Sequence, residues 1–138
     1  MAKQPVFSFL GYSILDIKYS NSHKGNSYIS ISITKESFNE INNVYSLLIR
    51  IATDCSDEES IFVFQADYLI SDLNWFKNTL VNEKKSMCFS IVFPFIREKI
   101  LSITSDSTTG IFIPILNIQN LSFENEIRLT RVINKNSN

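Results

Sequence analysis

The spacing of hydrophobic residues changes once along this chain, and this change constrains the fold more than any other feature. Apolar and polar side chains alternate in four successive segments, at residues 6–19, 28–35, 44–53 and 61–68. Such alternation is typical of a β-strand with one buried face. Between residues 85 and 104, apolar side chains instead recur three and four positions apart, which is the spacing of a helix face. The pattern predicts four antiparallel strands followed by a long helix.

Several local signals refine this prediction. The apolar positions of the first segment are even-numbered up to Ile14 and odd-numbered from Leu15, so one extra residue is needed there, which predicts a β-bulge. Asp72 is a candidate N-cap for a short helix after the fourth strand. Pro94 predicts either a kink in the long helix or a helix that begins only beside it. Residues 122–133 predict a short C-terminal helix.

The chain length and the long helix together predict the domain organisation and an assembly. With 138 residues, 44% of them hydrophobic, the chain has material for one core, so we expect an α+β fold in a single domain over residues 1–138. The helix carries a second apolar stripe, which a four-stranded sheet cannot also cover, so we expect a homo-oligomer. The predicted oligomer interface comprises four phenylalanines, Phe62, Phe64, Phe89 and Phe93.

Residues that usually carry catalysis or bind cofactors are scarce. The only histidine, His23, lies in a polar segment, and the two cysteines, Cys55 and Cys88, are far apart in sequence. These are too few for a catalytic set or a structural zinc site. Three glycines provide no phosphate-binding loop, and a net charge of -1 does not favour nucleic acid. We therefore expect a protein that is not an enzyme and has no metal, cofactor or nucleic-acid partner.

The location of the protein is predicted from the same features. No apolar run approaches the roughly 18–20 residues that a membrane-spanning helix needs, so we expect no membrane partner. The first residues show no signal peptide, and the few cysteines fit a reducing compartment. The expectation is a cytoplasmic protein.

Two segments resemble the SecB family of protein-export chaperones. Residues 88–98 read Cys-Phe-Ser-Ile-Val-Phe-Pro-Phe-Ile-Arg-Glu, and residues 113–123 read Ile-Pro-Ile-Leu-Asn-Ile-Gln-Asn-Leu-Ser-Phe. They resemble that family's Phe-Pro-aromatic-x-Arg-Glu run, which opens its long helix, and the Pro-x-Leu-Asn segment that follows. Residues 15–19 and 62–68 are similar to the end of its first strand and to its fourth strand. The resemblance spans about residues 7–123 in the family's order.

This resemblance implies an ATP-independent chaperone, or holdase, that binds non-native polypeptides or preproteins. Members of the family hold such clients in apolar grooves between the sheet, the second helix and the segment before it. They are tetramers built as a dimer of dimers, and they need no cofactor. Carried over by position, the client-binding candidates are Tyr19, Ile29, Ile31, Ile33, Leu116, Ile118, Leu121, Phe123 and Ile127. The alternative for each of these residues is ordinary core packing.

Departures from the family leave other functions open. Ser20 stands where the family often has glutamate, and the basic residues Arg128, Arg131 and Lys135 replace its acidic C-terminal tail. Both changes argue against docking to the motor SecA, and the missing acidic tail favours a dedicated chaperone for one client, such as an antitoxin. A scaffolding protein that kept the fold but lost the groove is a second alternative. A hot-dog-type thioesterase is a third, although its usual catalytic dyad is not evident.

Overall fold

The residues that the structure describes form a five-stranded antiparallel sheet and two helices. The computed structural model describes residues 5–18, 28–54, 60–104 and 127–130. In chain order, the elements are β1 (Phe7–Lys18), β2 (Tyr28–Asn39), β3 (Val44–Asp54), β4 (Ser60–Ile70), α1 (Leu73–Asn78), α2 (Val81–Thr104) and β5 (Ile127–Thr130). The strand order across the sheet is β1-β4-β3-β2-β5. The predicted α+β fold, with four antiparallel strands followed by a long helix, is confirmed.

The fifth strand corrects the prediction for the C-terminal region. Residues 127–130 form β5 and not part of a helix over 122–133, and the rest of that range lies outside the described residues. Ile127 pairs with Ile31 on β2, and Thr130 pairs with Tyr28. This short segment alternates apolar and polar residues, and its backbone satisfies donors and acceptors on the outer edge of β2. Edge pairing of this kind leaves little signal in four residues of sequence.

Bulges bend the two long strands β1 and β2. The bulge predicted near Ile14 and Leu15 is confirmed by a register shift between Ile14 and Asp16 opposite β4. A second shift in β1, before Gly11, was not predicted, and Gly11 has a φ of 136°, which side chains disfavour. β2 shifts register between Ile33 and Lys35 against β3. Bulges of this kind bend a strand and increase its local twist.

The core lies between α2 and one face of the sheet. The inward residues of β3 and β4 are completely or almost completely buried, and α2 packs on β1 and β4. The Tyr68 hydroxyl on β4 donates a hydrogen bond of 2.5 Å to the backbone carbonyl of Cys88 on α2. The buried core comprises Ile29, Ile31, Tyr45, Leu47, Ile49, Ile51, Phe62, Phe64, Ala66, Tyr68, Ile70, Cys88, Phe89, Val92, Phe93, Ile96 and Ile100.

The structure tests the predicted starting points of both helices. Asp72 caps α1 as predicted, because its Oδ1 accepts a hydrogen bond of 3.0 Å from the backbone N–H of Trp75. The prediction that the long helix begins only beside Pro94 is wrong, since α2 starts at Val81 and continues through the proline. Pro94 has no backbone N–H to donate to the carbonyl of Ser90. Both residues lie on the exposed side of α2. Solvent can therefore satisfy that carbonyl.

Candidate functional site

A row of aromatic side chains fixes which side of α2 faces the sheet. Phe7 on β1 stacks on Trp75 of α1, with ring centroids 5.5 Å apart, and contacts Tyr68 edge-on at 5.7 Å. Two residues further along β1, Phe9 stacks on Phe95 of α2, with ring centroids 5.8 Å apart. Such pairs are directional as well as apolar. They hold α2 over β1 and β4 and set its rotation about its own axis.

This rotation leaves an apolar surface of α2 exposed, which reaches from the side facing away from the sheet to the edge at β1, where Phe95 stacks on Phe9. We call it the outer helix face, and it comprises four large apolar residues, Met87, Ile91, Phe95 and Leu101. Their exposed fractions are 42%, 37%, 47% and 38%, respectively. Met87, Ile91 and Phe95 follow one another at intervals of four and so share one side of the helix. Apolar side chains grouped on one surface in this way are typical of an interaction site.

The four phenylalanines predicted as the oligomer interface do not form a surface. Phe62, Phe64 and Phe89 have no solvent exposure within a single chain, and Phe93 is 3% exposed. Phe89 and Phe93 contact each other, with centroids 5.0 Å apart, on the side of α2 that packs on the sheet. The interface assignment is therefore corrected, because these side chains are already buried by their own chain. The large apolar residues of α2 that remain accessible are those of the outer helix face, together with Val81 at the start of the helix.

The predicted client-binding residues are mostly core residues or lie outside the described residues. Ile29 and Ile31 are fully buried in the core cluster, and Ile33 packs against it partly buried. Ordinary core packing is thus correct for Ile29 and Ile31, because strands β3 and β5 flank them on both sides. Ile127 lies in β5 opposite Ile31, and its side chain is not described. The described residues exclude the remaining candidates, Tyr19, Leu116, Ile118, Leu121 and Phe123.

The sequence did contain a signal for the exposed side of α2. Ser90, Pro94 and Glu98 follow at intervals of four and are all exposed. A serine, a helix-interrupting proline and a carboxylate are poor choices for a buried helix face. Their shared side points away from the sheet, and the apolar residues beside them are therefore the solvent-facing ones.

A second surface lies on the sheet face opposite α2. We call it the outer groove; its volume is about 820 Å³, and it lies at the β2–β3 turn. A smaller cavity of about 230 Å³ adjoins it, and Ser37, Ser46 and Gln65 border both. The described residues that line the outer groove are Leu10, Ser37, Phe38, Asn39, Glu40, Ile41, Asn42, Val44, Ser46, Gln65 and Asp67.

The carboxylate of Asp67 is held by two hydrogen bonds in the outer groove. Its Oδ1 accepts a hydrogen bond of 2.6 Å from the Ser46 hydroxyl and one of 3.0 Å from Nε2 of Gln65. Across the sheet, Asp67 pairs with Gly11, and a Cβ added to Gly11 would meet no heavy atom within 4 Å. The space beside the carboxylate is therefore open. A glycine inside a strand often marks a bulge or a close approach by another molecule, and Gly11 is at a bulge.

A buried lysine joins the two helices. Lys84 is 8% exposed, and its Nζ donates a hydrogen bond of 3.1 Å to the carbonyl of Phe76 and lies 3.8 Å from the centre of that ring. Beside it is a cavity of about 200 Å³ bordered by Glu36 and Tyr45, whose hydroxyl donates a hydrogen bond to Glu36. Burial, and then the neighbouring Glu36, raise the pKa of Tyr45. The carbonyl and the aromatic ring compensate for burial of the ammonium group.

The described residues offer little reactive chemistry. Among them, no group of three or more histidine, cysteine, aspartate or glutamate side chains is placed to hold a metal ion. Burial raises the pKa of the Cys88 thiol to about 12, and the nearby Lys84 offsets only part of this effect. Such a thiol is a poor nucleophile. His23 and Cys55 lie outside the described residues.

Comparisons with known proteins identify no family. No protein-family model matches this chain, and no curated protein matches its sequence. Neither described helix is long and apolar enough to cross a membrane. The function must therefore be proposed from the fold and the two surfaces.

Proposed function

We propose that this protein is an ATP-independent, SecB-like chaperone that binds non-native polypeptides through exposed apolar surface. The outer helix face is the observation on which this proposal depends. Apolar burial is non-directional, so one such face can hold many different sequences. The flexible side chain of Met87 suits this role, because methionine adapts to irregular partners. A chaperone that only holds unfolded chains lowers their free concentration by mass action and needs no nucleotide.

The outer helix face is also our proposed contact between copies of the chain in a homo-oligomer. Phe89 and Phe93 are buried in the single chain, so this face is the side of α2 that a second copy can reach. In this arrangement, clients compete with, or bind beside, the second copy. The proposal covers two kinds of client. These are many preproteins, as for an export chaperone that meets SecA, or one dedicated partner such as an antitoxin. A cytoplasmic location belongs to it as well.

The test is suppression of aggregation of guanidinium-denatured citrate synthase on dilution, followed by light scattering at stoichiometric ratios. The informative variant is Met87→Ser combined with Ile91→Ser, because both side chains are partly exposed on the outer helix face, and urea unfolding checks that the variant remains folded. Phe95 is left in place because it stacks on Phe9. Leu80→Ser is the matched control, since Leu80 is 69% exposed but precedes α2 and lies outside the outer helix face.

We expect the parent protein and the Leu80→Ser control to suppress aggregation and the double variant to lose most of this activity. Light scattering of the protein alone, and of the double variant alone, reports whether the face also joins subunits. The proposal is contradicted if the parent fails to suppress aggregation of several denatured proteins. It is also contradicted if the double variant is as active as the parent.

A further inference from the structure

The outer groove combines apolar walls with an uncompensated negative charge. Leu10 is 55% exposed and Ile41 is 96% exposed at its rim, and Val44 lines it from β3. Among the described lining residues, Asp67 and Glu40 are acidic and none is basic. The local charge of the described lining is therefore negative. The groove therefore complements a ligand that is both cationic and aliphatic.

The geometry of Asp67 suits recognition of a cation. Two donors, the Ser46 hydroxyl and Nε2 of Gln65, share its Oδ1 and fix the orientation of the carboxylate. The other oxygen, Oδ2, has no hydrogen bond from a described residue. The open space beside Gly11 gives a ligand access to this side of the carboxylate. Lys35 borders only the smaller adjoining cavity, so the negative end of the surface is the end at Asp67.

We propose that the outer groove is a docking site for a polypeptide segment in which an arginine or lysine lies beside aliphatic residues. The cationic side chain binds Asp67, with Glu40 adding to the attraction, and the aliphatic neighbours cover Leu10 and Ile41. The volume of about 820 Å³ is within the range of roughly 300–1,000 Å³ found for ligand sites. This site is on the sheet face opposite α2, so it does not depend on the chaperone proposal.

The test measures fluorescence anisotropy with two labelled peptides. One peptide places arginine between two leucines, and the other has the neutral isostere citrulline in place of arginine. We expect the citrulline peptide to bind about tenfold more weakly, which corresponds to loss of one charge-assisted hydrogen bond at a half-exposed site. Measurements at physiological salt, where the Debye length is about 8 Å, limit attraction from distant charges.

Variants of the protein locate the binding site. Asp67→Asn should reduce affinity for the arginine peptide about tenfold, to that of the citrulline peptide, and Leu10→Ser should weaken both peptides. Glu40→Gln, in an exposed turn that tolerates substitution, should weaken only the arginine peptide and provides a second measure if Asp67→Asn unfolds. Asp16→Asn is the control, because this exposed carboxylate of β1 does not line the groove.

Three results would overturn the docking site. These are no measurable binding of the arginine peptide, equal binding of the two peptides, and the same affinity loss in Asp16→Asn as in the groove variants. Because no denatured client is present, failure here leaves the aggregation assay unaffected. A protein that binds the arginine peptide but does not suppress aggregation would support the docking site while contradicting the chaperone proposal.

Discussion

Two phenylalanines of α2 test whether the inner side of this helix is core or interface. Phe93 is 3% exposed, whereas Phe95, two positions further along, is 47% exposed. Replacing each with alanine removes the same atoms from two environments on one helix. Because Phe93 is buried by its own chain, Phe93→Ala destabilises that single chain, and Phe95→Ala has a much smaller effect.

The magnitudes follow from the buried area. A phenylalanine buries about 150–250 Å², and at about 25 cal/mol per Å² this corresponds to about 4–6 kcal/mol as an upper limit. Truncation of buried phenylalanines in cores costs about 3–5 kcal/mol, and we expect a value in this range for Phe93→Ala. Because about half of Phe95 is exposed, we expect Phe95→Ala to cost about 1.5–2 kcal/mol, part of it from the lost stacking on Phe9. The total free energy of unfolding of such domains is about 5–15 kcal/mol.

The assay is urea unfolding of the parent and of both variants at widely separated protein concentrations. A core residue lowers the free energy of unfolding by the same amount at every concentration, with an unchanged dependence on urea. An interface residue would instead weaken association, and its effect would grow on dilution. A loss below about 1 kcal/mol for Phe93→Ala, or a greater loss for Phe95→Ala, would refute the core assignment.

Three further predictions follow from polar groups. Tyr68→Phe should lower the free energy of unfolding by about 1–1.5 kcal/mol in urea titrations, because it removes the buried hydrogen bond to the Cys88 carbonyl; no loss would contradict that bond. Burial raises the pKa of Tyr45 and Tyr68, so their contribution to the free energy of unfolding is present in full below the ordinary tyrosine pKa of about 10 and is lost above it. The urea midpoint of unfolding should therefore fall as the pH rises above that value. A midpoint that does not change with pH would contradict burial of the two hydroxyls. In a Cys55→Ser variant, the Cys88 thiol should react with a disulfide reagent only on unfolding, and rapid labelling of the folded protein would show that it is accessible.

Local signals in the sequence were sufficient for most of the secondary structure. Alternation located the first four strands, the parity change at Ile14 located a bulge, and a single aspartate located the start of α1. Each of these signals depends on neighbours within a few residues, since strand faces repeat every two positions and a cap acts over three. The prediction for residues 127–130 was wrong because their strand forms only through pairing with β2, about a hundred residues earlier.

The candidate surfaces were much less predictable. The apolar spacing showed that α2 is apolar on two sides but not which side is buried, and only the polar positions Ser90, Pro94 and Glu98 marked the exposed side. Phe89 and Phe93, which were expected at an oligomer interface, face the sheet, whereas Ile91 and Phe95 are partly exposed. The choice depends on contacts with β1, where Phe9 stacks on Phe95, and on keeping Pro94 exposed.

The sequence alone thus determined the kind of structure, and the tertiary structure decided which residues partners can reach. Periodicity specifies strands and helices because it acts along a continuous stretch of chain. The outer groove could not be predicted in this way, since Leu10, Ser46 and Asp67 come from three strands. They meet because β1 pairs with β4, which in turn pairs with β3. Pairing between distant strands is a property of the whole fold, because each partner must bury its apolar face against the same helix.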